Sequence, residues 1–455
     1  MQKRRDFIKT SLAGGVGLAF LFHQDDPAMA VETSTQNVNR QSGPSDLKIT
    51  DLRIAWTSKT PIIKIDTNQG IYGLGDVRDA GDPRWALMLK SRLLGKNPCH
   101  VEGVFRLLKQ FGTHGRGAGG VSGVEMALWD LCGKAWGVPV YQLLGGKYRD
   151  KIRIYADTPM SSDIQVLTQR IKSRLEKGYT FLKMDFGIEL AKEKGIPIVN
   201  GDFHELHHQY RLGDVASYGW LKHPFTRIEL TDEALDHLCG IIEEVRSVVG
   251  YQIPLASDHY GHFDHNNAIR LGKAVEKYRL AWLEDLIPWF YTDHWRMISD
   301  AIDTPTMTGE DIFSKEEFRK LVDAKAVDMI HPDLATAGGC LETKKIGDYA
   351  EESGIPMALH CAGSPITFMA SVHCAAATYN TIALEHHDID NPHWESMVTM
   401  NHPMIENGFA NVPDSPGLGI DLNEEVIRSL LLPGEEYFPP SDQWNSSNNW
   451  DRPWS

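Results

Sequence analysis

From about residue 150 onward, short β-rich runs alternate with helix-length amphipathic segments, and this rhythm constrains the fold more than any other feature of the chain. The runs cover residues 152–157, 181–186, 253–258, 280–285, 306–311, 327–333, 355–360 and 381–385. Eight parallel strands joined by helices close into a TIM-type barrel. Each run has an apolar interior and ends in a polar or ionisable residue. The C-terminal strand ends of a closed parallel barrel converge on one mouth, so these side chains face a common space. Their spacing is regular: 26 residues from Asp258 to Glu284, 26 to Glu310, 23 to Asp333, 27 to His360 and 25 to Glu385. One βα unit needs about that length, given a strand of about 5–6 residues, a helix of about 11–12 and two short loops.

One interval breaks the rhythm, because 73 residues separate Asp185 from Asp258. A helix over 232–249, capped by Thr231, fills part of it and leaves 187–228 as an insertion after the second strand. That insertion is rich in His, Tyr, Trp and Gly, and reads equally as a lid over the mouth or as a surface contact. Residues 47–148 differ in character: 49–57, 61–67 and 71–75 read as an antiparallel meander, followed by helices that include 123–136. This predicts a separate α+β domain, with the barrel over 149–390. Residues 433–455, rich in Pro, Trp, Asn and Ser, read as a surface tail.

The chain opens on a basic stretch, Lys3-Arg4-Arg5-Asp6-Phe7-Ile8-Lys9, then an apolar run over 11–22 and the small-residue site Ala28-Met29-Ala30. That order is the order of an export signal, and the run is too short to span a bilayer. The paired arginines resemble a twin-arginine signal, which predicts cleavage after Ala30, a periplasmic location and a flexible leader over 31–46. A formal charge of −15 argues against nucleic acid or an anionic membrane as partner and favours a small molecule. The six cysteines are scattered without paired spacing, and read as buried apolar residues.

Asp258, Glu284 and Glu310 end three successive strands, and three converging carboxylates repel one another unless a cation lies between them. An all-oxygen donor set suits magnesium better than zinc. Asp333 and His360 end the next two strands, where a carboxylate on one imidazole nitrogen fixes the tautomer and raises the basicity of the other. Lys183 and Asp185, two apart on the second strand, point the same way into the barrel, Lys183 facing the metal from the side opposite His360. Glu385 ends the last strand as a hydrogen-bonding group; the run His386-His387-Asp388-Ile389-Asp390 after it, with His393, is compatible with a second metal but reads better as rim and substrate contact.

These residues resemble the mandelate racemase subgroup of the enolase superfamily. The resemblance runs over about 47–425 and includes Ser122-Gly123-Val124-Glu125-Met126-Ala127-Leu128-Trp129-Asp130, Gly137-Val138-Pro139-Val140, Trp282-Leu283-Glu284-Asp285, Thr308-Gly309-Glu310-Asp311 and the Asp333 plus His360 pair. It implies a (β/α)7β barrel under an N-terminal α+β capping domain, with 391–432 returning to the cap, and a homo-oligomer. It also implies magnesium on Asp258, Glu284 and Glu310, acid/base work by His360 and Asp333, and substrate contact by Glu385. His259 and His262 are read as further substrate contacts, as are Arg78 and Trp85 in a cap loop resembling the family's specificity loop. Members that racemise carry Lys-x-Lys on the second strand; here the second position is Asp185. Several acid-sugar dehydratases place a catalytic histidine two positions after the third-strand ligand, where this chain has Tyr260, a candidate acid on the same strand face. The preferred expectation is a magnesium-dependent lyase that takes the proton α to a sugar-acid carboxylate and expels the β-hydroxyl, giving a 2-keto-3-deoxy acid. The alternatives are a racemase, epimerase or cycloisomerase working through the same enediolate, and a non-catalytic periplasmic sugar-acid binding protein.

Overall fold

The computed structural model describes residues 43–161, 163–199, 228–258 and 263–446. The expected export signal, nearly all of the leader and residues 200–227 of the insertion lie outside the described residues, as do 259–262 and 447–455.

Alternating apolar and polar residues give the cap its meander, Ile49–Trp56, Pro61–Thr67 and Tyr72–Asp76, paired antiparallel in that order. The helix Gly119–Trp136 packs on this sheet at backbone contact. A Cβ on Gly73 would lie 2.1 Å from the Ala127 carbonyl oxygen, and one on Gly75 would lie 2.0 Å from that of Gly123. Only glycine permits that approach. The helix stops at Gly137, which takes the left-handed conformation at φ 69°.

Each expected barrel run contains a strand: Lys151–Asp157, Leu182–Met184, Leu255–Ser257, Leu283–Glu284, Thr306–Thr308, Met329–Ile330, Met357–Leu359 and Thr381–His386. They pair in parallel, each with its successor, and the eighth closes on the first through Leu384 opposite Ile154 and Glu385 opposite Tyr155. Helices follow the first seven strands, which makes a (β/α)7β barrel. The second-strand helix runs over Asp232–Val249, with the Thr231 hydroxyl accepting from the Ala234 N–H at 3.1 Å, as its sequence predicts. Before it, Glu189–Glu193 forms a short helix, and Ile198–Val199 pairs with Glu229–Leu230.

Period-two alternation sorts the barrel interior into layers. One residue from every strand fills the lower layer: Tyr155, Phe181, Ala256, Trp282, Met307, Met329, Ala358 and Ala383, a cluster of its own. Two residues further along each strand lie Asp157, Lys183, Asp258, Glu284, Gly309, His331, His360 and Glu385. Seven of these eight are ionisable. An apolar plug therefore floors a charged mouth.

The chain after the eighth strand covers the barrel's other end and the cap. Phe409–Asn411 pairs antiparallel with the first barrel strand, while Leu432 N–H donates to the Trp56 carbonyl at 2.9 Å. Five of the six cysteines are buried and Cys99 is partly so. Among the described residues no helix is long and apolar enough to cross a membrane.

His373, fully buried on the helix Pro365–Ala377, accepts the Tyr141 N–H on Nδ1 at 3.2 Å. Burial pulls its pKa down to about 4. At pH 7 the ring is neutral in both folded and unfolded chains; as pH falls below about 6.5 only the unfolded chain takes up the proton. Stability contributed by the neutral ring is therefore lost between pH 6.5 and 4, amounting to about 3 kcal/mol. Urea midpoints measured from pH 7 to 4.5 are expected to fall less for His373→Gln than for the wild type; parallel profiles would refute the assignment.

Candidate active site

Lys183 stands at the centre of the mouth, buried, with Nζ 2.7 Å from Asp258 Oδ2, 3.3 Å from Glu284 Oε1 and 2.7 Å from Glu385 Oε1. Burial works against its charge, but those three carboxylates hold its pKa well above the ordinary lysine value. Burial likewise opposes ionisation of Glu385, yet Lys183 and then His360 pull that carboxyl down to about 2.

The His360 ring joins two carboxylates from neighbouring strands. Nδ1 meets Asp333 Oδ2 at 2.5 Å, Nε2 meets Glu310 Oε2 at 3.0 Å, and Glu385 Oε2 lies 3.6 Å from Nε2. Burial disfavours the imidazolium, but Glu310, Glu385 and Asp333 outweigh it and raise the pKa well above that of free histidine. Asp333 is itself held, since its Oδ1 accepts the Ala335 N–H at 2.6 Å at the start of the helix Leu334–Ala337.

The donor set fits a divalent cation. Carboxylate oxygens of Asp258, Glu284 and Asp285 approach within 4.8 Å of one another, as do ligand atoms of Glu284, Glu310 and His331. Glu284 is common to both groupings, while Asp258 and Glu310 fall in different ones, so the three expected carboxylates do not themselves make one such group among the described residues. Asp285 shows the excess of negative charge. Burial first, then Glu310, Asp258 and Glu284, push its carboxyl well above the usual carboxylate range. A small hard cation relieves such crowding, and oxygen donors suit it.

Of the remaining sequence expectations, Arg78 does reach the site, but its guanidinium is spent on protein acceptors, chiefly Glu310, Thr336 and Asp79. That arrangement contrasts with the expected substrate contact. Trp85 lies on the helix Arg84–Leu87, 42% exposed, with its carbonyl against Gly120. Asp185 lies just beyond the second strand, where its charge raises the pKa of Asp157. Tyr260, His259 and His262 lie outside the described residues.

Sequence reasoning passed over two groups in the charged layer. His331 donates from Nδ1 to the Ala358 carbonyl at 3.1 Å, and its Nε2 lies 2.9 Å from Glu284 Oε1. Asp157, nearly fully buried, has Oδ2 3.3 Å from His387 Nε2. Burial, with Asp185 and Glu385 adding to it, raises the Asp157 carboxyl to about 7. Both were findable by parity, because each lies two positions past an inward residue, Met329 or Tyr155. Gly309 occupies the same layer on the fifth strand at φ 146°, and a Cβ there would press on Phe318 at 2.8 Å. Lacking a side chain, it leaves the mouth position to Glu310.

A buried cation among carboxylates, beside a histidine bracketed by acids, is an arrangement suited to moving protons beside an acidic centre. Comparison with known proteins narrows the class. Residues 167–426 match the enolase C-terminal domain-like family, and 30–145 match the mandelate racemase / muconate lactonizing enzyme N-terminal domain. The chain belongs to the mandelate racemase subgroup of the enolase superfamily. It is 32% identical over 412 residues to a D-xylonate dehydratase of Haloferax volcanii, covering 88% of this chain and 93% of that protein. It is 30% identical over 423 residues to the D-galactonate dehydratase family member RspA of Pantoea ananatis, covering 86% and 95%. Among solved structures, a mandelate racemase/muconate lactonizing enzyme-like protein from Rubrobacter xylanophilus superposes with a TM-score of 0.74 at 27% identity, covering 87% of this chain and 100% of that one.

Proposed function

We propose that the protein is a magnesium-dependent acid-sugar dehydratase. The observation that carries this reading is the meeting of Lys183, Asp258, Glu284 and Glu385 at one point, with His360 within reach of Glu385 and Glu310. Asp258, Glu284 and Glu310 would hold the ion. Bound there, magnesium supplies Lewis-acid stabilisation of the negative charge that grows on a substrate carboxylate when its α-proton leaves.

The remaining steps belong to the chain's own groups. Lys183 adds a fixed N–H donor for that charge, and a well-aimed donor of this kind contributes about 3–4 kcal/mol in other enzymes. His360, oriented by Asp333, exchanges the proton through Nε2. In the arrangement described, Nε2 lies 3.0 Å from Glu310 Oε2 and the surrounding carboxylates favour the protonated ring, which suits the acid role. The base role requires Glu310 to turn Oε2 away from the ring. Loss of the α-proton and of the β-hydroxyl as water leaves an enol, which becomes a 2-keto-3-deoxy acid. Single-sided chemistry is favoured by Asp185, which stands where racemising members carry a second lysine.

The relatives' names place D-xylonate and D-galactonate first in a library of aldonic and aldaric acids. Incubation with the pure protein and magnesium is expected to yield a 2-keto acid from at least one of them. Silence across the library would remove the dehydratase reading, whereas deuterium entering the α-carbon without keto product would select an epimerase.

A further inference from the structure

We propose that Arg78 is a positioning residue through which the cap domain sets the metal-ligand carboxylate Glu310 and the dyad carboxylate Asp333. Arg78 follows the cap strand Tyr72–Asp76 and is 1% exposed. Its Nη1 donates to the Glu310 carbonyl at 2.7 Å and to the Thr336 hydroxyl, and Nη2 donates to Glu310 Oε1 at 3.2 Å. Its Nε lies 3.8 Å from Asp333 Oδ2 and donates to Asp79 Oδ1 at 2.9 Å. One planar fork thus holds both the main chain and the carboxylate of Glu310, a geometry lysine cannot reproduce.

The fork is itself held. Asp79 receives Arg116, from the turn Gly115–Ala118, on its other oxygen at 2.9 Å. The next residue, Ala80, sits at φ 52°, a left-handed conformation that a non-glycine residue keeps only where the surroundings impose it. Two residues before Arg78, the buried Asp76 accepts the Ser364 N–H at 3.1 Å and the Thr367 hydroxyl, in the loop and helix that follow His360. The end of this cap strand and the loop after it therefore grip the barrel on both sides of the His360–Asp333 pair. Outer groups that orient a ligand typically change metal affinity by about 10–100-fold when removed.

The inference rests on reading Glu310 as a cation ligand, so Glu310→Gln is measured beside it. Calorimetric titration with Mg²⁺ is expected to show a Kd about 10–100-fold weaker for Arg78→Met, with Arg78→Lys between it and wild type. At saturating Mg²⁺, kcat falls and the KM for the acid stays within about threefold. Should Arg78→Met not fold, Arg78→Lys carries the test alone. A variant that only melts earlier, with Mg²⁺ affinity and kcat unchanged, would make Arg78 a purely structural residue and overturn the proposal. So would a raised KM alone, which marks a substrate contact. Glu310→Gln that binds Mg²⁺ like wild type removes the ligand reading and the proposal with it; Glu310→Gln weakened while Arg78→Met is not removes the proposal only.

Discussion

His360→Asn is expected to lower turnover by about 10³-fold, inside the 10²–10⁴ range of a lost general acid or base. That factor corresponds to about 4 kcal/mol of transition-state stabilisation. The argument is geometric. His360 Nδ1 is fixed on Asp333 at 2.5 Å, which leaves Nε2 as the exchanging nitrogen, and Nε2 faces Glu310 and Glu385 rather than solvent. Asparagine keeps a polar group near Asp333 but has no group that titrates near neutrality. Two readouts should fall together: 2-keto acid formation and solvent deuterium exchange at the α-carbon. Asp333→Asn is expected to follow in the same direction, since it removes the charge that orients and supports the ring. A His360→Asn enzyme retaining both activities within tenfold would take His360 out of the chemistry.

Lys183→Met is expected to lower the unfolding free energy by about 3–5 kcal/mol in the absence of a divalent ion. Methionine approximates the length of the lysine stem but removes the ammonium, including its 5.9 Å approach to the Tyr155 ring, so the loss is electrostatic. Three carboxylates, Asp258, Glu284 and Glu385, are left facing one another in a site that is essentially closed to solvent. For a chain of this size that corresponds to a fall in Tm of about 5 °C. Magnesium should then stabilise Lys183→Met more than wild type, because the ion relieves a repulsion that lysine relieves in the native protein. Equal Tm values without metal, or equal magnesium-induced shifts, would show that Lys183 is not the compensating charge. Turnover should not return with the metal, since the donor to the substrate carboxylate is gone.

Much of the fold is legible because its signals are local. Thr231 caps Asp232–Val249 by a hydrogen bond three residues long, and the eight strands declare themselves by apolar interiors and polar ends. The order of the site groups is equally legible, since strand number and parity follow from the sequence alone. Arg78 shows where that reasoning stops. Its place in a cap loop suggested substrate contact, but its partners Glu310 and Thr336 lie 232 and 258 residues away. Nothing near it in the chain announces them. His331 and Asp157 were reachable by parity but carried no motif, because their partners Glu284 and His387 come from other strands.

By itself the sequence determined that a barrel forms, which side chains ring its mouth and in what order, because backbone periodicity is a property of neighbouring residues. Only the tertiary structure decided which carboxylates hold Lys183, that Glu310 meets the second nitrogen of the His360 ring, and that a cap arginine grips Glu310. Electrostatic energy depends on separation in space and on the exclusion of water. Residues 27 to 258 positions apart acquire both only when the barrel closes and the cap settles on it.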